Sequence, residues 1–160
     1  MKNSKNQKGF TLIEILVVIG MIALLATIVI IAINPARQFA QGRNTQRTSN
    51  TNSILNAIGQ NIADNKGTFT CPLNSFGQSS GITTTGVDIK SGTNVDLMPC
   101  LVPYYISSVL VDPSAGTGNS TTTYDSGYTV AKDSTGRYIV CAPKANEPNT
   151  SVQTDICVTR

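Results

Sequence analysis

A single carboxylate lies inside the longest apolar run of the chain. The run extends from Phe10 to Ile33, and Glu14 is its one charged residue. An ionised carboxylate that enters the hydrocarbon core of a membrane without a partner costs about 2.5–3.5 kcal/mol. Glu14 is therefore predicted to lie at the membrane interface, to pair with a cation, or to serve a function of its own.

The run is long enough to form a membrane-spanning helix. Its 24 residues would extend roughly 36 Å as an α-helix, whereas the hydrocarbon core of a bilayer is about 30 Å thick. Residues 1–9 form a polar leader with three lysines, which favours a cytoplasmic N-terminus. Three arginines follow the other end of the run, so charge alone does not decide the orientation: Arg37, Arg43 and Arg47.

The four cysteines all follow the apolar run. They are separated by 29, 41 and 16 residues, and the sequence contains no Cys-x-x-Cys pair and no histidine. A four-thiolate zinc site is an alternative, but such sites usually contain close ligand pairs. Two disulfides, formed in an oxidising compartment outside the cytoplasm, are the favoured interpretation. Of the three possible pairings we favour Cys71 with Cys100 and Cys141 with Cys157.

No pattern in the sequence predicts catalysis. The sequence contains no histidine, no paired carboxylates, no phosphate-binding glycine loop and no nucleophile beside an evident base. A chain of 160 residues, 13% of them charged and 40% hydrophobic, is typical of one membrane helix and one small head. Without the three leader lysines, nine basic residues face nine acidic ones. We therefore expect neither an enzyme nor a nucleic-acid partner.

The start of the apolar run resembles the class III signal of type IV pilins and type II secretion pseudopilins. The resemblance rests on a basic leader ending in Gly9, followed by Phe-Thr-Leu-Ile-Glu at positions 10–14 and a long apolar segment. It implies that a prepilin peptidase cleaves between Gly9 and Phe10 and methylates the new amino group of Phe10, which keeps its charge. It also implies that Glu14 pairs with the Phe10 amine of a neighbouring subunit.

The resemblance implies a fold and a location as well. The expected fold is α+β and type IV pilin-like, with one long N-terminal helix packed on a small antiparallel sheet. The expected segments are a leader at 1–9, a transmembrane and assembly helix at 10–33, a continuing amphipathic helix at 34–65 and a disulfide-stapled head at 66–160. The protein would be a single-pass protein of the cytoplasmic (inner) membrane with its head outside, and later part of an extracellular or periplasmic filament.

In this interpretation the protein is a structural subunit of a type IV pilus or a type II secretion pseudopilus. Its expected partners are copies of itself, other pilins, the prepilin peptidase, the assembly platform and, before assembly, membrane lipid. A secretory signal cleaved near Ala40–Gly42 is an alternative, although the apolar run exceeds the usual 7–15 residues. Another alternative is a plain signal anchor with no polymer role, in which Glu14 lies near the positive end of the helix.

Residue patterns predict the elements after the membrane segment. Asn34-Pro35 is expected to interrupt the helix, residues 41–52 are polar on all sides, and the helix should end near residues 65–67. An apolar stripe should face a sheet: Ile54, Leu55, Ile58 and Ile62.

The head is expected to begin with a surface loop at 68–98, containing a short strand at 87–89. A short helix at 102–110 should start at Pro103. Three antiparallel strands should follow, at 128–131, 137–142 and 155–159, with a turn at 133–136 between the first two.

Two binding hypotheses accompany the pilin interpretation. Gly67, Pro72 and residues 105–113 resemble the head of a major pseudopilin, which implies calcium as the one possible cofactor. Its candidate ligands, otherwise ordinary turn residues, are Asp112, Asp125 and Asp133. The alternative function is a minor pilin acting as a DNA-uptake or adhesion module, which the balanced charge disfavours. Its candidate cations are Arg37, Arg43, Arg47, Lys90, Lys132 and Arg137.

Overall fold

The computed structural model describes residues 9–71, 82–93, 95–148, 150 and 154–160. The chain divides into two compact units, Met1–Ala36 and Arg37–Arg160. Residues 1–8 of the expected leader, and Pro72 of the pseudopilin resemblance, lie outside the described residues.

The first unit contains helix α1, Leu12–Ala32. Each of its 21 residues is exposed, and apolar side chains cover all of its sides. Within the described part of the chain, α1 is the one helix long and apolar enough to cross a membrane. Ile33 closes α1 in an extended conformation, with φ −96° and ψ 118°. Asn34 is also not helical, as expected for the residue before a proline, and the interruption expected at Asn34-Pro35 is confirmed.

Helix α2 comprises Pro35–Asp64. Proline suits the first position of a helix because the N–H group that it lacks would have had no partner there. After Asp64 the chain reverses through Lys66 and Gly67, whose φ values are +57° and +88°. The Gly67 N–H donates to the Ile62 carbonyl at 2.9 Å, which closes the last turn. The helix therefore ends where the Asn-Lys-Gly sequence predicts.

The described residues of the head form a five-stranded antiparallel sheet. Its strands are β1 Val87–Lys90, β2 Thr117–Ser120, β3 Thr123–Lys132, β4 Tyr138–Ala142 and β5 Ile156–Thr159. The strands at 128–131, 137–142 and 155–159 are confirmed, with β3 extending further back than predicted, and the strand at 87–89 is confirmed as β1. The prediction of three strands over the helix missed β2. The spatial order of the strands is β1-β3-β4-β5, and β2 also pairs with β3.

The core lies between α2 and the sheet. Burial alternates along β3 and β4, as expected for strands with one face on a core. The apolar stripe of α2 joins these strand residues in one cluster, with Ile62 packed at its edge, so the predicted contact with a sheet is confirmed. Members of the cluster include Ile54, Leu55, Ile58, Ile89, Tyr128, Val130 and Val140.

Two predictions about the head are wrong. The short helix is α3, Met98–Leu101, and not a helix at 102–110. Val102 is extended, with φ −101° and ψ 132°, because it precedes Pro103 and cannot easily take helical geometry. The segment 68–98 is also more than a surface loop, since its described part supplies apolar side chains to the core. These are Phe69, Ile82, Ile89, Val95 and Leu97.

Two disulfides join the four cysteines in the favoured pairing. The Cα atoms of Cys71 and Cys100 are 5.2 Å apart, and those of Cys141 and Cys157 are 4.1 Å apart. Cys141 lies directly opposite Cys157 on β4 and β5. No free thiol remains among the described residues, which favours two disulfides over the four-thiolate zinc alternative.

Candidate functional site

Thr11 and Glu14 form a capping box at the start of α1. The Glu14 carboxylate accepts from the Thr11 N–H and from the Thr11 hydroxyl, each at 2.8 Å. The Thr11 hydroxyl oxygen in turn accepts from the Glu14 N–H at 3.3 Å. Both residues satisfy N–H groups that the first helical turn would otherwise leave without partners. The Glu14 side chain is therefore held in a defined position by its own chain.

Glu14 has no cationic side chain near it in the segment that follows the leader. No lysine or arginine occurs between Gly9 and Ala36. A capping box supplies hydrogen bonds but no full positive charge, so a cation would still stabilise this carboxylate wherever it enters the hydrocarbon core. A cation for Glu14 must come from outside the side chains of this segment.

The predicted cleavage site precedes the regular part of α1. Gly9 and Phe10 are not helical, and the Phe10 side chain is 84% exposed. A Cβ atom added at Gly9 would have no other atom within 4 Å. A non-helical, exposed peptide bond between these residues is geometrically open to another enzyme. The roles of Gly9, Phe10 and Glu14 in processing and assembly stay predictions.

A second polar arrangement lies under α2 and is centred on Arg47. We call it the Arg47 cluster, and its side chains come from α2 and two distant segments of the head. The guanidinium of Arg47 is completely buried, and Nε and Nη2 donate to the Asp112 carboxylate at 2.6 and 3.1 Å. Nη1 donates to Glu147 at 2.7 Å. The cluster comprises Arg43, Asn44, Arg47, Asp112, Ser114 and Glu147.

Asp112 is positioned by its own loop. Its carboxylate accepts from the N–H groups of Ser114 and Ala115, each at 2.9 Å. Burial raises the pKa of Asp112, but the hydrogen bonds from Arg47, Ser114 and Ala115 outweigh burial and the pKa is lowered. Gly127 lets β3 approach this loop, since its φ is +70° and a Cβ there would lie 2.8 Å from the Cβ of Asp112.

Glu147 attaches the segment between β4 and β5 to α2. It accepts from Nε and Nη2 of Arg43, each at 2.7 Å, in addition to Arg47. The hydrogen bond from Arg43 and then that from Arg47 lower the pKa of Glu147 to about 2, against an opposing effect of burial. The Asn44 amide also donates to the Ala145 carbonyl at 3.1 Å. Three side chains of α2 therefore hold this segment in place.

The Arg47 cluster was missed by the sequence analysis. The sequence shows only that residues 41–52 are polar on all sides. In the structure several of its residues are buried: Asn44, Arg47, Asn50 and Thr51. The spacing of Arg43 and Arg47, which places both on one helix face, was the available signal.

The cations of the DNA-binding hypothesis are mostly engaged within the head. Arg47 is buried and cannot reach a ligand, and Arg43 is paired with Glu147. The Lys90 ammonium lies 3.1 Å from Asp125. This part of the DNA-binding hypothesis is therefore not supported by the structure.

The three candidate calcium ligands also have separate partners. Asp112 binds Arg47, and Asp125 faces Lys90. Asp133 accepts from Thr135 and Arg137 in the β3–β4 turn, and these hydrogen bonds, led by that of the Thr135 hydroxyl, lower its pKa to about 2. Across the described ranges no three acidic, cysteine or histidine side chains come together in a way that could hold a metal. The alternative that these are turn residues fits Asp133.

Residues 4–33 match the family described as the prokaryotic N-terminal methylation motif. This motif is the class III prepilin signal, which is typical of type IV pilins and pseudopilins, so the resemblance at the N-terminus is confirmed. It implies processing by a prepilin peptidase and assembly into filaments. No curated protein and no solved structure gives a significant match to the chain.

Proposed function

We propose that this protein is a structural subunit that polymerises into a type IV pilus or a type II secretion pseudopilus. The observation that carries the proposal is the coincidence of the methylation motif at 4–33 with α1. All 21 residues of that helix are exposed in the single chain, although nearly all are apolar. Such a helix needs lipid or other helices around it, and a filament subunit uses both in turn.

Before assembly, the chain is stored in the cytoplasmic (inner) membrane with its N-terminus in the cytoplasm. Residues 1–9 serve as the leader, 10–33 as the transmembrane and assembly helix, 34–65 as the continuing helix and 66–160 as the head. The two disulfides support a head on the oxidising side of the membrane. The peptidase removes the leader after Gly9 and methylates Phe10.

Cleavage supplies the cation that Glu14 lacks. The new amino group of Phe10 is positively charged before and after methylation. On assembly, the Glu14 carboxylate pairs with the Phe10 amine of a neighbouring subunit, and this pairing sets the stagger between subunits. The capping box with Thr11 holds the carboxylate in the first turn of α1 until that amine arrives.

Mass spectrometry of the amino terminus tests the processing step. Protein purified from its native envelope should begin at methylated Phe10. A chain that keeps Met1, or one that has lost the whole apolar segment, would contradict the proposal.

Two substitutions at Glu14 separate the ion pair from the capping role. Glutamine can occupy the same capping position but carries no charge, whereas valine removes both functions. We expect Glu14→Gln and Glu14→Val to be cleaved normally and both to yield few filaments, measured by immunoblotting of sheared filaments and by electron microscopy. The matched control is Thr27→Val, which removes a hydroxyl bonded only to the Ala23 carbonyl of the same helix. Wild-type filament yield from Glu14→Gln would refute the ion pair.

A further inference from the structure

The head contains a cationic cavity that the filament function does not use. It has a volume of ≈ 300 Å³ and lies where the end of α2, the β3–β4 turn and the end of β5 come together. Phe69 and Tyr138, both almost fully buried, form part of its apolar lining. Its charged lining residues are all basic: Lys132, Arg137 and Arg160.

These cations are only partly neutralised by the protein. The Lys132 ammonium lies 5.2 Å from the centre of the Tyr138 ring, and the ion pairs among the described residues do not include it. Arg137 contacts Asp133 through Nε at 3.0 Å, which leaves its two terminal nitrogens for other partners. Arg160 donates to the neutral side chain of Asn56. Three cationic side chains therefore border one cavity, and Asp133 forms an ion pair with one of them, Arg137.

The arrangement suits a negatively charged group. Like charges held together repel each other, and an oxyanion placed between them would receive charge-assisted hydrogen bonds. The apolar floor reduces screening by water, so these contacts are stronger than at an open surface. The volume is at the small end of the range for ligand sites, which limits the ligand to a compact molecule.

We propose that this cavity binds a compact oxyanion, a carboxylate or phosphate group carried by a ligand of about monosaccharide size. The ligand is held by Lys132 and Arg137, with Arg160 at the rim. The site lies in the second unit and contains no residue of α1. A loss of anion binding would therefore leave the filament proposal untouched, and a loss of filaments would leave the anion site untouched.

Isothermal titration calorimetry on the full chain in neutral detergent tests the proposal, with inorganic phosphate, glucuronate and neutral glucose as probes. We expect at least one of the two anions to bind, more weakly at higher salt, and glucose not to bind. Phosphate without glucuronate, or the reverse, identifies which oxyanion the site takes. Absence of binding by both anions would overturn the proposal.

Charge variants locate the binding. Lys132→Gln and Arg137→Gln should each lower the affinity roughly tenfold, the order expected for one charged hydrogen bond. Lys132→Arg keeps the charge and should keep most of the binding, which guards against a misfolded glutamine variant. Lys144→Gln is the matched control, because Lys144 is exposed and does not line the cavity.

Two outcomes would overturn the assignment. An equal loss of affinity in Lys144→Gln would show a general effect of charge. Binding of a DNA oligonucleotide that depends on Lys132 and Arg137, with no binding of either small anion, would assign the surface to nucleic acid instead.

Discussion

Replacing Arg47 with methionine tests whether the Arg47 cluster stabilises the head. Methionine keeps an unbranched apolar chain but removes every hydrogen bond that the guanidinium donates. The Asp112 carboxylate, which is fully buried, would then lose the cation with which it forms an ion pair among the described residues. Glu147 would keep its two contacts with Arg43. The variant therefore leaves one buried negative charge without a counter-charge.

The magnitude follows from this geometry. Removing one partner of a buried ion pair typically costs about 3–5 kcal/mol, because the remaining charge stays buried and unpaired. For a unit of this size, such a loss corresponds to a fall in the unfolding temperature of roughly 10–20 °C. Arg43→Met is the matched control, since the Arg43 side chain is 36% exposed and Glu147 would keep Arg47. The control should cost about 1 kcal/mol or less.

Urea unfolding of the full chain, with the disulfides intact, measures the difference. All five tyrosines lie between positions 104 and 138, so near-UV circular dichroism follows the head without a contribution from α1. The double variant Arg47→Met with Asp112→Asn should recover part of the lost free energy, because it removes the stranded charge. Equal costs for Arg47→Met and Arg43→Met, or no recovery in the double variant, would refute the reasoning.

The other predictions concern acid sensitivity and one glycine. The folded-state pKa of Glu147, about 2 against an ordinary 4.5, contributes stability that is complete above pH 4.5 and is lost as the pH falls toward 2. Glu147→Gln should therefore be less stable at neutral pH, and its free energy of unfolding should fall less steeply over that interval; an unchanged slope would contradict this. Gly127→Ala should cost about 1–3 kcal/mol, measured by the same urea titration, because of its positive φ and its approach to Asp112. Gly59→Ala, in a helix with open space around it, should be neutral or stabilising by up to about 1 kcal/mol, and a similar loss in both variants would argue against strain at Gly127.

Local residue patterns predicted the elements that carry a clear hydrophobic signal in the sequence. The stripe at 54–62 has the period of a helix face, and the bounds of β1 and β4 were predicted within one residue at each end. Strand β2 was missed because Thr117–Ser120 contains Gly118 and Asn119, which are poor strand formers. All of its residues are exposed, so hydrophobic periodicity could not reveal it. Its conformation depends on pairing with β3, which is a tertiary interaction.

The same distinction applies to the candidate sites. Glu14 was identifiable because its charge contrasts with its immediate neighbours, and its structural partner Thr11 lies three residues away. Arg47 was not identifiable as a buried cation because its acidic partners are 65 and 100 residues distant along the chain. No helical or strand periodicity relates residues at such separations.

The buried apolar and the buried amide side chains of α2 use different chemistry because they face different backbone. The apolar stripe faces strands whose N–H and C=O groups already pair within the sheet. The buried asparagines of α2 face connecting segments, where backbone groups need other partners: Asn44 donates to the Ala145 carbonyl and Asn50 to that of Val111. Asn61 both donates to Thr70 and accepts from it. One face of the polar stretch of α2 is therefore an interior surface, as the apolar stripe is, and Arg47 is the charged member of that face.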